Sequence, residues 1–310
     1  MSPVTANRIR AAWRTAALTV LLSWGRLAAQ TQEEWPLRAG DPAGAVSPPE
    51  ETTFQPRGLD DRGFNRVVRK VTEPTLTIYH PAQVAHRSAA LLVIAGGGYD
   101  GIVIDREGHA FARYFQGQGL TAIVLKYRLP QADTFAAGLP APQRDALDAL
   151  RFIRRHAADW RIDPNRVGVM GASAGGHLAG SSAIFGHKTD GSRPDFVALL
   201  YPVVTLAAPT AHAGSRLRLL GPEPAPARIN EYSLERRAQP GFPPFFLVHA
   251  QDDQTVPIEN SRLLAAALQQ ASVPCEFLVV AAGGHGFALG RTGASARWKE
   301  HFLAWLDALP

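Results

Sequence analysis

The chain has 310 residues, of which 46% are hydrophobic and 19% are charged, a balance that fits one large globular α/β domain and is short for two. The formal charge of +5 falls to +1 without residues 1–29, which hold four arginines and no acidic residue. The remainder has no basic stripe, which argues against nucleic acid as a partner. Cys275 is the only cysteine in the sequence, so an intrachain disulfide and a cysteine-based metal site are both excluded.

The first 29 residues have the pattern of a secretory signal peptide. Arg8, Arg10 and Arg14 precede the apolar run AALTVLLSW, and small residues follow at the end of the segment. The apolar run is too short to span a bilayer. We therefore expect a secreted or periplasmic protein that has no integral membrane segment once the signal is removed.

The next segment, residues 30–65, is rich in proline, glycine and charged residues and shows no sustained apolar period. This composition predicts an extended or disordered lead-in. The globular domain is accordingly expected over residues 66–310.

From residue 66 onward, short apolar runs alternate with longer segments of helical periodicity. The predicted strands are residues 75–80, 90–95, 121–127, 166–171, 196–204, 244–250 and 275–281. The predicted helices are residues 107–118, 142–158, 176–185, 258–271 and 294–309. Strands that are apolar on both faces and separated by helices predict a mostly parallel central sheet flanked by helices.

One serine lies at a sharp turn between a predicted strand and a predicted helix. Residues 171–175 read GASAG, so Ser173 is the serine of a G-x-S-x-G motif. Such a sequence also forms ordinary tight turns. A strand before it and a helix after it are, however, the context of a nucleophile elbow, which holds the serine hydroxyl where a substrate reaches it.

A serine hydroxyl is a poor nucleophile near neutral pH and needs a base, which in turn needs an orienting acid. In an elbow of this kind the partners follow the serine in the order acid, then histidine. Two histidines lie far enough downstream, and His285 in the loop AAGGHGF is favoured over His301 in the last helix. The acid is expected in HAQDDQTVP, where Asp252 and Asp253 are adjacent and cannot both face one histidine.

Acyl transfer also requires hydrogen-bond donors for the developing oxyanion. The backbone N–H of Ala174 is one candidate, and the loop after residues 90–95 offers others because Gly96, Gly97 and Gly98 carry no side chain to obstruct them. A serine, a base and backbone donors together supply the chemistry, so no metal or other cofactor is expected.

The same glycine loop, GGGYDG, also reads as G-x-G-x-x-G after a strand, which makes a dinucleotide-binding loop the rival interpretation. Two observations count against it. The motif should open a helix at once, yet β-branched residues follow it, and the next strand ends in Lys126, Tyr127 and Arg128 rather than in an acid.

Several motifs in this order resemble one known group of proteins. GGGY, YRLP with the helix APQRDALDALRFIRRHA, GASAGGHLA, HAQDDQTVP and GGHGF are similar to secreted α/β-hydrolases of the acetyl-esterase and xylan-esterase-like group, sometimes labelled BD-FAE. The resemblance covers about residues 75–309. It implies an α/β-hydrolase fold with Ser173 as nucleophile, His285 as base and, from the D-x-x-V-P motif, Asp253 rather than Asp252 as acid.

The resemblance also assigns the oxyanion donors. Related lipases have H-G-G-G in this loop, and this chain has Ala95 where they have histidine, but the glycines match and give the donor role to Gly97 and Gly98. Tyr99, next to these glycines, is expected either to line the substrate pocket or to pack in the core.

The implied activity is hydrolysis of short acyl esters, often acetyl groups on plant polysaccharides such as xylan. Residues 205–243, where some hydrolases insert a cap, contain no long apolar run, which predicts little or no cap and an open site. Lipase-like esterases, formamidases and peptidases share the scaffold and remain alternatives, as does a non-catalytic binding protein. The expected partner is a small ester or an acetylated polysaccharide; the sequence does not specify the oligomeric state.

Overall fold

The computed structural model describes residues 31–37, 50–54, 65–130, 138–290 and 293–310. The predicted signal peptide, residues 1–29, lies outside these ranges, and the prediction of export therefore stays a prediction.

Eight strands of the described residues form one sheet. The described residues contain ten strands, which in chain order are β1 (Thr31–Pro36), β2 (Glu51–Phe54), β3 (Arg66–Arg69), β4 (Thr75–His80), β5 (Ala90–Ile94), β6 (Thr121–Lys126), β7 (Val167–Ala172), β8 (Val197–Leu200), β9 (Phe245–Ala250) and β10 (Cys275–Val280). The sheet order is β1-β4-β6-β5-β7-β8-β9-β10, and β2 pairs with β3 separately. The six strands from β6 to β10 run parallel, whereas β4 is antiparallel to both of its neighbours.

Helices alternate with these strands as predicted. They are α1 (Ala110–Gly117), α2 (Ala141–Arg155), α3 (Ser173–Phe185), α4 (Ala213–Leu220), α5 (Pro226–Tyr232), α6 (Glu259–Gln270) and α7 (Ala294–Ala308). A π-helical turn, Asp105–His109, leads directly into α1. The seven predicted strands and five predicted helices are all present, so the predicted α/β class with a mostly parallel sheet is confirmed.

The middle of the sheet forms the core and fixes the edge at which the site lies. Every residue of β5 and of β7 is buried. From α7, the buried Phe302 packs against Phe246 of β9 and against Phe196, which precedes β8. Because the central strands are parallel, their carboxyl ends lie together at one edge, and the loops that follow β5, β7, β9 and β10 meet there.

Strand β1 was not predicted, because residues 30–65 carry no alternating apolar pattern. It pairs antiparallel with β4 at the edge of the sheet. Its anchor is Trp35, whose ring makes edge contacts with Phe152 on α2 and with Trp160. The pairing therefore depends on backbone hydrogen bonds and one aromatic side chain, while its neighbours Glu33 and Glu34 are exposed.

Residues 205–243 form α4, α5 and a short 3₁₀ turn rather than a long apolar helix. The longer of the two α-helices has eight residues. Among the described residues, no helix has both the length and the apolar character needed to cross a membrane.

A buried ion pair joins the end of β6 to α2. The Asp145 side chain is fully buried and accepts hydrogen bonds from the Arg128 backbone amide at 2.9 Å and from its guanidinium Nη2 at 2.6 Å. Because α2 packs on α3, this pair holds the helix that supports the turn at Ser173.

We predict that Asp145→Ala lowers the free energy of unfolding by about 3 kcal/mol, because removing one member of a buried pair leaves the other without its counter-charge. Asp148→Ala is the matched control on the same helix, since its pair with Arg151 is near the surface and contributes less than about 1 kcal/mol. Urea unfolding followed by circular dichroism measures both. Equal losses for the two variants would contradict the structural role of Asp145.

Candidate active site

The turn at Ser173 depends on glycines that allow two backbone segments to touch. Ser173 follows β7 directly, opens α3 and has a φ of 54°, in the left-handed region that costs about 1–3 kcal/mol for a residue other than glycine. A Cβ atom at Gly175 would overlap the carbonyl oxygens of Ile94 and Ala95, and one at Gly171 would overlap the backbone of Gly175. The two glycines of G-x-S-x-G are therefore required for α3 to start against the end of β5.

The three predicted partners lie in one chain of hydrogen bonds. Ser173 Oγ is 2.9 Å from His285 Nε2, and His285 Nδ1 is 2.7 Å from Asp253 Oδ2. A carboxylate only accepts hydrogen bonds, so Nδ1 carries the ring proton and Nε2 is free to accept the proton of the serine hydroxyl. The structure thus brings together residues from the loops after β7, β9 and β10. This arrangement can deprotonate Ser173 as it attacks an electrophile.

Asp253 is held in its charged form. Its Oδ1 accepts hydrogen bonds from the backbone amides of Thr255 and Val256, each at 2.9 Å, and its Oδ2 is 3.2 Å from His249 Nε2. Burial alone would raise the pKa of Asp253, but the hydrogen bonds from His249 and His285 outweigh it and hold the pKa well below its ordinary value. The carboxylate is therefore ionised at neutral pH and orients the His285 ring.

The neighbouring carboxylate has a different task. Asp252 is exposed, and its Oδ1 accepts hydrogen bonds from the backbone amides of Gly283 at 3.0 Å and Gly284 at 2.8 Å. Those amides belong to the loop that carries His285. One aspartate of the pair thus contacts the imidazole, and the other fixes the backbone on which the imidazole is mounted.

The glycine loop after β5 lies against the serine. A Cβ atom at Gly96 would come within 2.9 Å of Ser173 Cβ. In the described part of the chain, the amides of Gly97 and Gly98 make no hydrogen bond. The Ala174 amide lies in the first turn of α3, where N–H groups have no partner within the helix and no side chain caps them. Three amides beside Ser173 are therefore available to an oxyanion.

A buried carboxylate behind this loop was not singled out from the sequence. Glu107 Oε2 accepts a hydrogen bond from the Gly96 amide at 3.0 Å, and Glu107 Oε1 accepts one from the Tyr201 hydroxyl at 3.2 Å. The Tyr201 ring makes an edge contact with the His285 ring, with centroids 5.1 Å apart. Glu107 thus connects the backbone of the glycine loop to the side chain that packs on His285. Its position within a predicted helix gave no signal of this role.

Of the two positions expected for Tyr99, beside the substrate pocket or in the core, the structure has the second. Tyr99 has a φ of 61°, and its side chain is 1% exposed. The hydroxyl is 2.8 Å from His177 Nδ1, and His177 Nε2 is 2.7 Å from the Tyr232 carbonyl oxygen. Because that carbonyl only accepts, His177 donates a hydrogen bond through Nε2 and accepts one from the Tyr99 hydroxyl at Nδ1. Burial lowers the pKa of His177 to about 4, so the ring is neutral and structural.

The rival nucleotide interpretation also conflicts with the local geometry. The helical turn begins at Asp105, several residues after the glycine loop, instead of opening directly on it. Arg128, a cation near this loop in sequence that could otherwise bind a phosphate, is paired with the buried Asp145. Within the described residues, no group of three or more His, Cys, Asp or Glu side chains is placed to hold a metal ion.

The sequence model of a protein family described as the alpha/beta hydrolase fold matches residues 91–289 of this chain. The matched stretch includes the glycine loop, Ser173, Asp253 and His285. The chain belongs to the α/β-hydrolase family. The resemblance stated from the motifs is therefore confirmed.

Similar proteins narrow the class further. An acetylxylan esterase of Xylanibacter ruminicola is 34% identical over 229 residues, which cover 71% of this chain and 46% of that protein. Endo-1,4-beta-xylanase B of Butyrivibrio fibrisolvens is 35% identical over 221 residues, which cover 67% of this chain and 34% of that protein. The chain thus spans less than half the length of these curated relatives.

A solved structure matches over nearly its whole length. The acetyl ester-xyloside bifunctional hydrolase of Caldicellulosiruptor lactoaceticus superposes with a TM-score of 0.72 at 30% identity, covering 89% of this chain and 96% of that one. Together these similarities support the predicted enzyme class, a carboxylic ester hydrolase.

We predict that Asp252→Ala lowers kcat for p-nitrophenyl acetate about 10- to 100-fold, because releasing the Gly283–Gly284 backbone lets His285 move away from Ser173. Asp252→Asn keeps an oxygen that accepts from both amides and should retain most of the activity. Steady-state kinetics of the two variants, with folding checked by circular dichroism, provide the test. Normal kcat in Asp252→Ala would show that Asp252 has no role in positioning His285. Equal losses in both variants would show that the accepted hydrogen bonds are not the cause of the effect.

Proposed function

We propose that the protein is a serine carboxylesterase that removes acetyl groups from an acetylated polysaccharide such as xylan. The observation that carries the proposal is the hydrogen-bonded chain of Ser173, His285 and Asp253, placed beside three available backbone amides. The acetylxylan esterase among the relatives supports the acyl group and the type of alcohol.

In the acylation step, Ser173 Oγ attacks the ester carbonyl carbon while His285 Nε2 takes the hydroxyl proton. The carbonyl oxygen becomes an oxyanion, which the amides of Gly97, Gly98 and Ala174 are positioned to bind. Each such donor typically accounts for a factor of about 100 to 1,000 in rate. The positive charge that forms on His285 faces the ionised Asp253, so the ion pair is strengthened when the tetrahedral intermediate forms.

Collapse of the intermediate breaks the bond between the carbonyl carbon and the alcohol oxygen. His285 returns the proton to the leaving alcohol, and the acetyl group stays on Ser173 as an ester. A water molecule then loses a proton to His285 and attacks the acetyl carbon. Acetate leaves, and Ser173 recovers its proton from His285, so the enzyme is regenerated without a net change.

Two further observations support a polymeric, sugar-like substrate. Residues 205–243 form only short helices, which provide little apolar surface to grip a long acyl chain. The signal-like pattern of residues 1–29 leads us to propose that the protein is exported from the cytoplasm. Polymeric plant esters lie outside the cell, so export would bring the enzyme to them.

The proposed roles predict that Ser173→Ala and His285→Ala each reduce kcat for p-nitrophenyl acetate to a small residual rate, and that the double variant is little worse than either single one. Asp253→Asn should reduce kcat by on the order of 10³- to 10⁴-fold, since the ring then loses its orienting carboxylate. Single-turnover kinetics on folded variants measure these effects. Near-normal turnover by folded Ser173→Ala would end the serine-hydrolase proposal.

The proposed substrate class predicts that kcat/KM falls from acetyl to butyryl, octanoyl and decanoyl esters and that EDTA has no effect. A longer acyl chain gains about 0.8 kcal/mol per CH₂ only where an apolar pocket buries it. The same panel includes acetylated xylan, from which released acetate is measured. An increase toward octanoyl would favour a lipase-like enzyme, and inhibition by EDTA would contradict the mechanism.

A further inference from the structure

A second imidazole lies beside the proposed site and has no role in the triad. His212 precedes α4, within the segment that replaces a cap, and its side chain is half-buried. Its Cε1 atom lies 3.8 Å from the position a Cβ atom would take at Gly98. The ring edge is therefore next to the glycine loop that follows β5.

The hydrogen bonds of His212 fix which of its nitrogens carries the proton. The backbone amide of Ser215 donates to His212 Nδ1 at 3.2 Å, and the Ser215 hydroxyl lies 2.8 Å from the same atom. Because an amide N–H only donates, Nδ1 is an acceptor, and the proton of the neutral ring is on Nε2. Ser215 is itself completely buried, so this orientation is well supported.

The ring is neutral and presents an unused donor. Burial lowers the pKa of His212, and the neighbouring His285 lowers it further, while Asp253 opposes the shift. Among the described residues, His212 Nε2 has no hydrogen-bond partner; its known partners are both on Nδ1. A neutral Nε2–H donor without a partner therefore lies on a ring whose Cε1 edge is beside the glycine loop.

This position favours the alcohol part of the substrate over the acyl part. His285 must return its proton to the departing alcohol oxygen, so the alcohol lies on the His285 side of Ser173. The carbonyl oxygen already has backbone amides from two loops, whereas no donor has yet been assigned to the alcohol. His212 and His285 lie within electrostatic range of each other, so the His212 ring is near the base as well as near the glycine loop.

We propose that His212 binds the alcohol by donating Nε2–H to a hydroxyl oxygen on the carbon next to the esterified carbon. The preferred substrate class is then an acetyl ester with a free neighbouring hydroxyl, as in a partly acetylated sugar ring. This inference rests on the proposed function and deepens it. His212 acts here as a specificity residue, since it contacts the substrate away from the bond that breaks.

The test compares two esters that differ in one hydroxyl, trans-2-hydroxycyclohexyl acetate and cyclohexyl acetate. The ratio of their kcat/KM values isolates the hydroxyl and cancels general damage to the site. Loss of one neutral hydrogen bond predicts that His212→Ala lowers this ratio about 3- to 10-fold relative to the unmodified protein, mainly through KM of the hydroxylated ester. His212→Gln, which keeps an N–H donor, should restore part of the ratio. His301→Gln, on the exposed face of α7, is the matched control and should leave it unchanged.

An unchanged ratio in His212→Ala, with both esters still cleaved, would overturn the assignment of His212 alone. A parallel loss on both esters would also overturn it and would assign the ring to the oxyanion or to the fold. If the unmodified protein cleaves neither ester, the proposed function fails, and the inference fails with it. Release of acetate by the unmodified protein separates failure of the His212 assignment from failure of the proposed function.

Discussion

The position of Ser173 depends on a close contact between backbones that side chains would prevent. Gly175 in the first turn of α3 touches the carbonyl groups of Ile94 and Ala95 at the end of β5, and Gly171 touches Gly175 in turn. This contact forces Ser173 into a left-handed conformation and places its hydroxyl beyond the carboxyl edge of the sheet. The same contact brings the glycine loop after β5 alongside the serine, so one packing contact positions both the proposed nucleophile and the proposed oxyanion donors.

Carboxylates then fix the other parts of the site, each by a different contact. Asp253 orients the His285 ring, Asp252 holds the backbone of the His285 loop, and Glu107 holds the Gly96 amide from behind. Two of these three accept hydrogen bonds from backbone groups in other loops and so convert loops into defined surfaces. Such an arrangement reduces the reorganisation needed when charge develops during the reaction, which is the usual source of a large electrostatic contribution to catalysis.

Much of this could be predicted because the pattern and the chemistry agree. Buried parallel strands appear as apolar runs, and the G-x-S-x-G motif between a strand and a helix, with an acid and then a histidine further on, restricts the partners of Ser173 to a few residues. The remainder depends on contacts that leave no mark on the sequence. Strand β1 is held by edge pairing and Trp35, Asp252 works through backbone amides, and Tyr99 has a positive φ and a buried side chain. Glu107 lies in the π-helical turn before α1 and His212 at the N-terminal cap of α4, and neither residue belongs to a sequence motif, so only the fold reveals what they face.

The central claim is that Ser173 carries the acyl group during turnover. Rapid quenching of the protein with p-nitrophenyl acetate, followed by mass spectrometry of its peptides, measures this directly. The account predicts one transient acetyl group on the peptide that contains Ser173, which forms faster than it decays and is absent from Ser173→Ala. An acetyl group that forms on another residue at the rate of turnover, or acetate release with Ser173 never modified, would contradict it.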